Sequence, residues 1–251
     1  MELSNRFKAS AKHLVASATV ALCAAVLVFG LWYPNPFQEL AGGRELFLII
    51  VAADVICGPL LTFVVFNSKK PKAELWRDLA FVVGIQTAAL FFGLFTVWQA
   101  RPLFLVHEID RFKVISAAVL DDAAVMALPE KLRPHFWLGP ITVGIREPVS
   151  PEERQTVMFE SIEGGRDFGE RPEFYLPYEG AAAFKSVGRA KPLTLFLQKQ
   201  PAQLVKAQKL ALGKHADISQ WLYVPVVARQ DWVAVIDKRG QIQGFLKGDG
   251  F

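Results

Sequence analysis

Two cysteines and four histidines in 251 residues leave little from which to build a metal centre or a disulfide framework. Cys23 and Cys57 both fall in long apolar runs, so residues 101–251 have no thiol and must rest on an ordinary hydrophobic core. The histidines His13, His107, His135 and His215 are scattered singly. His107-Glu108 lacks the second histidine of H-E-x-x-H, and neither a G-x-S-x-G elbow nor a P-loop occurs. The expectation is a protein without metal, cofactor or catalytic centre. A concentrated basic excess is missing too, despite a pI near 9.1. Residues 1–100 carry 8 Lys and Arg against 6 Asp and Glu, and the rest carry 20 against 18, which argues against nucleic acid as a partner.

Apolar residues, by contrast, are abundant: 52% of the chain, with a mean hydropathy of +0.28. Three runs are long enough to cross about 30 Å of hydrocarbon: 14–33, 46–66 and 79–98. The first follows a short N-terminal segment, 1–13, and ends in Leu31-Trp32-Tyr33-Pro34 without a small-x-small cleavage site, so an uncleaved helix is favoured over a signal peptide. Ser17, Ala21 and Ala25 recur every four residues, which suits either a close-packing face or a generally alanine-rich span. Between the second and third runs lies a basic turn, 67–78, with Lys69, Lys70, Lys72 and Arg77. Together with Arg6, Lys8 and Lys12 this makes seven cations on one side, against Arg44 and Arg101 on the other. The positive-inside rule then places the N-terminus and the basic turn in the cytoplasm, and residues 101–251 outside it.

The second span contains an acid, a proline and a threonine. Asp54 lies near its middle, where an ionised carboxylate costs at least about 3 kcal/mol. A proton relay or a contact to a partner helix is one reading, and a hydrogen bond within the bundle is the other. Pro59 cannot donate to the carbonyl of Val55, and Gly58 beside it eases any bend. Gln86 in the third span enters at about the same depth and can reach that carbonyl, while Gly84 and Ala88 permit close approach. Asp54, Gly58, Pro59, Thr62 and Gln86 are therefore the candidate helix–helix or partner contacts.

These residues also carry a resemblance. Asp54-Val55 and Gly58-Pro59-Leu60-Leu61-Thr62, Lys70-Pro71, Arg77-Asp78-Leu79, Gln86, Ala100-Arg101-Pro102 and Asp110-Arg111-Phe112 together resemble the type IV pilin accessory proteins of the TfpX/TfpZ, or FimB-like, family, most strongly over about residues 45–116. The resemblance implies a protein of the bacterial inner membrane that supports assembly or dynamics of a pilus, with no established enzymatic activity. Its implied partners are the major type IV pilin or the inner-membrane assembly platform, besides the lipid bilayer. A membrane-bound pilin-modifying enzyme, such as a glycosyltransferase, is the alternative, against which the small number of spans counts.

Residues 101–251 read as one extracytoplasmic α+β domain, so that the fold class is three transmembrane α-helices followed by that domain. Leu103–Ser116 suggests a strand directly after the third span. Asp121 or Asp122 suits a helix cap better than a metal ligand, ahead of a short helix ending near Leu128. Residues 134–148, rich in Pro and Gly, predict irregular structure or a short strand. Ser150-Pro151-Glu152-Glu153 has the form of a capping box with proline at the first helical position. Further helices are expected over 179–187 and 201–212, the latter with Leu204, Ala207, Ala211 and Leu212 on one side, and a three-stranded meander closes the chain. Charge is unevenly ordered: residues 147–179 hold nine acids and three bases, whereas 185–214 hold seven bases and no acid. Two neighbouring faces that offset each other are the plain reading. The alternative is a docking surface for a partner, with Lys199, Lys206, Lys209 and Lys214 as its candidates.

Overall fold

The computed structural model describes residues 2–135 and 137–251; Phe136, within the Pro- and Gly-rich stretch, lies outside them. The chain divides into two units, 1–100 and 101–251.

The first unit is helical. Helix α1 (Glu2–Leu27) contains no glycine or proline, so it extends well before the apolar run and continues as a π-helical turn, Val28–Trp32. A four-residue helix, α2 (Phe37–Leu40), leads to α3 (Gly43–Val65), and α4 (Lys72–Gln99) begins immediately after Pro71. Three stretches, Glu2–Trp32, Gly43–Val65 and Lys72–Gln99, are long and apolar enough to span a membrane. Large side chains such as Ile49, Ile56, Leu60, Phe81, Phe91 and Phe92 stay exposed on them, as lipid-facing residues would. Helix α3 packs against both α1 and α4. At one end Ala24, Val28, Trp32, Tyr33, Phe47 and Val97 form a core, where the Tyr33 hydroxyl donates to the Val97 carbonyl at 3.0 Å and the Trp32 and Trp98 rings meet edge to face. Gly93 makes close approach possible there: a Cβ would lie 2.7 Å from Ile50 Cγ2.

The second unit is a mixed eight-stranded sheet flanked by helices. Its strands are β1 (Pro102–Glu108), β2 (Arg111–Ser116), β3 (Ile141–Ile145), β4 (Tyr175–Pro177), β5 (Lys191–Pro192), β6 (Leu222–Val227), β7 (Trp232–Ile236) and β8 (Ile242–Lys247). The order is β4-β3-β1-β2-β6-β7-β8, with β5 added to β6. The β1–β3 and β2–β6 pairs are parallel and the others antiparallel. Among the described residues its α-helices are α5 (Asp122–Met126), α6 (Pro151–Ile162), α7 (Ala181–Val187), α8 (Leu193–Lys199) and α9 (Leu204–Gly213). One core joins β1–β3 to Val125, Leu128 and Leu132 in and after α5; the other packs Phe196, Ala207 and Ala211 of α8 and α9 on Tyr223, Val233 and Leu246.

Some sequence expectations hold here and others change. Leu103–Ser116 is a hairpin of two strands, not one strand, because Glu108 pairs with Arg111 across a two-residue turn, Ile109-Asp110. Of the two forms open to the Pro- and Gly-rich stretch, part takes the short strand, β3, whose pairing to β1 supplies what its own composition does not. Asp121 is a cap, accepting from the Ala123 N–H at 3.0 Å. Ser150 caps α6, but the Glu153 carboxylate reaches the Val149 N–H rather than that of Ser150, so only half of the capping box forms. On α9, Ala207 and Ala211 are buried, whereas Leu212 is 75% exposed and Leu204 is 42% exposed. The small alanines let the helix sit close to the sheet and leave the leucines at its margins.

Candidate functional site

The polar residues of α3 are gathered where its two neighbours touch it. From α1, the Ser10 hydroxyl donates to the Pro59 carbonyl at 2.8 Å, and His13 Nδ1 hydrogen-bonds the Thr62 hydroxyl. From α4, Gln86 Nε2 donates to a backbone carbonyl of α3 at 3.0 Å, but it is that of Asp54 rather than Val55. Proline removes the N–H that would serve Val55, while Gly58 follows the Asp54 carbonyl by one turn and opens the space that admits the amide. A Cβ on Gly58 would overlap the Gln86 side-chain nitrogen and lie 2.6 Å from its Cδ. Gly58, Pro59 and Thr62 are all buried, and α3 runs on to Val65 through the proline.

The two α1 residues were not legible as partners. Ser10 and His13 stand three apart on one helical face, a spacing that any amphipathic segment shows, and nothing in it names Pro59 or Thr62.

Asp54 enters the helix bundle through its backbone, not through its side chain. Its backbone carbonyl takes the Gln86 amide, while its carboxylate has no hydrogen bond or ion pair among the described residues. That side chain lines a groove of about 600 Å3 between the three helices, with Ser17 and Ala21 on one wall and Thr87 and Leu90 on another. Gln86 Oε1 also lines this region and is buried without a partner. The groove therefore places an acid and an amide within a mostly apolar lining, with Lys12 and His13 as its other ionisable residues. Such a surface suits an apolar helix that brings its own hydrogen-bond donor.

Outside this unit, the four candidate lysines of the docking surface are exposed. Lys199 ends α8, Lys206 and Lys209 lie on α9, and Lys214 follows it. They do not form one uniform patch: the Lys206 ammonium sits 4.8 Å from the Trp232 ring centroid, and Lys214 donates to Gln243 Oε1 at 3.0 Å. Lys199 and Lys209 have no ion pair among the described residues. The acids of 147–179 mostly find cations elsewhere. Glu153 pairs with Arg146, Glu160 with Arg171, and Asp167 and Glu170 with Lys113. Lys185–Glu147, at 2.9 Å, is the bridge described between the acidic and basic blocks.

A fimbrial assembly protein of serogroup I from Dichelobacter nodosus is 33% identical over 248 residues, covering 97% of this chain and 95% of that protein. This chain belongs to the FimB fimbrial assembly protein family. The family model itself, fimbrial assembly protein FimB, matches residues 1–42, which lie before the Asp54–Phe112 run that carries the motif resemblance. A second relative, the serogroup E1 fimbrial assembly protein of the same organism, is 32% identical over 248 residues, covering 97% of this chain and 95% of that protein. The relative from serogroups C1 and C2 is 39% identical over 109 residues, 43% of this chain and 83% of that protein. No solved structure matches.

Proposed function

We propose that this FimB-family membrane protein acts in fimbrial assembly as a non-catalytic accessory factor that binds the fimbrial subunit or the inner-membrane platform handling it. The observation that carries the reading is the Asp54 carboxylate, unpartnered among the described residues, in a groove shared with the orphan Gln86 oxygen. Within a membrane, an acid left without a partner inside its own bundle marks a place where another molecule supplies one. The partner is an apolar helix laid along the groove, with a donor at the depth of Asp54.

In this reading the first helix remains uncleaved, because Ser10 and His13 make contacts that hold α3. The N-terminus and the Lys69 turn face the cytoplasm, where the cation excess belongs, and the sheet domain lies in the periplasm. Lys199 and Lys209, exposed and without ion pairs among the described residues, then offer a second contact for an acidic partner surface. Crosslinking in living cells, from groove positions that leave Asp54 intact, tests the proposal: adducts with a fimbrial subunit or a platform protein support it, and lipid adducts alone overturn it.

A further inference from the structure

We propose that a cavity beside the β1–β2 turn of the sheet domain binds an acidic peptide segment, a carboxylate flanked by apolar side chains. The cavity measures about 540 Å3, within the range of pockets that enclose a small ligand. Ile109, Ile145, Pro148 and Phe168 give it an apolar lining. Arg146, Arg154, Lys185 and Arg189 bring four cations to the same space, against the acids Glu108 and Glu147.

The internal pairing decides which of these charges remain for a ligand. Arg146 is fully engaged: it forms a two-point ion pair with Glu153, at 2.8 and 3.0 Å, and also donates to the carbonyls of Glu147 and Glu173. Lys185 is held by Glu147, and Glu108 accepts from the Gly169 N–H at 3.1 Å. Arg154 and Arg189 have neither a hydrogen bond from the side chain nor an ion pair among the described residues. Arg154 feels the nearby Glu147 and Arg189 the nearby Asp110, but both guanidinium forks are unbonded among the described residues, and a planar fork of donors matches a carboxylate in two-point contact.

The turn at the cavity supplies a second, independent observation. Ile109 holds φ at +51°, a region in which a β-branched residue is strained, and its side chain is 73% exposed. Glycine or asparagine is the usual occupant of such a turn position. An isoleucine kept there at a cost in strain, and presented beside Phe168, is suited to covering an apolar side chain of a ligand. An inorganic phosphate would satisfy the arginines but leave Ile109 and Phe168 uncovered, which is why a peptide is the better fit. This inference is independent of the membrane groove.

The test uses the full-length protein in detergent micelles and labelled pools of acetyl-Gly-X-Glu-X-Gly-amide, with X being Leu, Val or Phe, beside matched pools with Gln replacing Glu. The Glu pool is expected to bind at least about tenfold more tightly than the Gln pool. Combining Arg154→Ala with Arg189→Ala removes that preference with little change in the unfolding temperature, since neither exposed side chain makes a hydrogen bond or ion pair among the described residues. Ile109→Gly relieves the strain and weakens both pools several-fold. Equal binding of the Glu and Gln pools, an unchanged preference in the double variant, or full displacement by millimolar inorganic phosphate overturns the proposal.

Discussion

Replacing Gly58 by alanine probes the three-helix contact at its narrowest point. The new Cβ cannot coexist with the Gln86 amide, which would overlap it. The obstacle is the end of a flexible side chain, so Gln86 swings away and the helices stay in place. What is lost is the 3.0 Å hydrogen bond to the Asp54 carbonyl, worth roughly 0.6–1 kcal/mol inside a membrane. What is gained is helix propensity, about 1 kcal/mol for glycine to alanine in an exposed helix interior. Gly58→Ala alone should therefore change stability by less than about 0.5 kcal/mol, from the near cancellation of these two effects. Gln86→Ala alone should cost roughly 0.6–1 kcal/mol by losing the bond. In the double variant the bond is lost only once and the alanine meets no obstacle, so the two changes should fall short of additivity by roughly 0.6–1 kcal/mol. Reversible unfolding in mixed micelles, read by tryptophan fluorescence, measures all four corners of this cycle. Additivity to within about 0.3 kcal/mol would show that Gly58 and Gln86 do not meet, and the account of the site would fall with that result.

Burial lowers the His107 pKa to about 4, the nearby Asp110 opposing and Lys185 assisting the shift. Because the folded value lies below the unfolded one of about 6.5, His107 favours folding above pH 6.5; about 3 kcal/mol of stability should vanish as pH falls from 6.5 towards 4, and subtracting the pH profile of His107→Gln isolates this slope. Gly240→Ala should destabilise the sheet domain by about 2 kcal/mol or more in thermal unfolding, since φ there is +80° and a Cβ would collide with the Ala183 carbonyl oxygen. A domain of unchanged unfolding temperature would contradict that geometry. Changing Lys199 and Lys209 together to Glu should leave the domain folded and reduce partner capture and fimbrial assembly; unaltered assembly would show that these lysines make no docking contact.

Much of the architecture was visible because it follows from local chemistry. Long apolar runs mark the membrane-capable helices, Asp121 and Ser150 announce helix starts, and short apolar runs separated by turn residues announce the final meander. The β1–β2 hairpin stayed hidden because Ile109 contradicts the residue type its turn favours, so the strand signal read straight through it. Helix α8 was missed, and strand β3 was left open between irregular structure and a short strand, for another reason. Their short apolar stretches become a strand and a helix through partners distant in sequence, β1 for the former and the β6–β8 face for the latter. In the membrane unit, composition picked out Asp54, Gly58, Pro59, Thr62 and Gln86 as polar or unusual. Composition could not show which part of Asp54 would be used, since the carbonyl and carboxylate of one residue point to different neighbours. Nor do linear charge blocks reveal pairing: Arg146 and Lys113 lie outside the acidic run's basic neighbour, yet they take three of its carboxylates.

The most direct measurement concerns the groove itself. A photo-crosslinking amino acid placed at Ser17 or Thr87, both lining the groove, leaves Asp54 and Gln86 in place. The same probe at Leu60 or Phe92 faces away from the bundle core and serves as the comparison. In cells assembling fimbriae, the groove positions should yield adducts with a fimbrial subunit or a platform protein, the comparison positions should yield few, and Asp54→Ala should weaken the groove adducts several-fold. Equal adducts from both sets of positions, or groove adducts unchanged by Asp54→Ala, would contradict the claim that this acid marks where a partner helix docks.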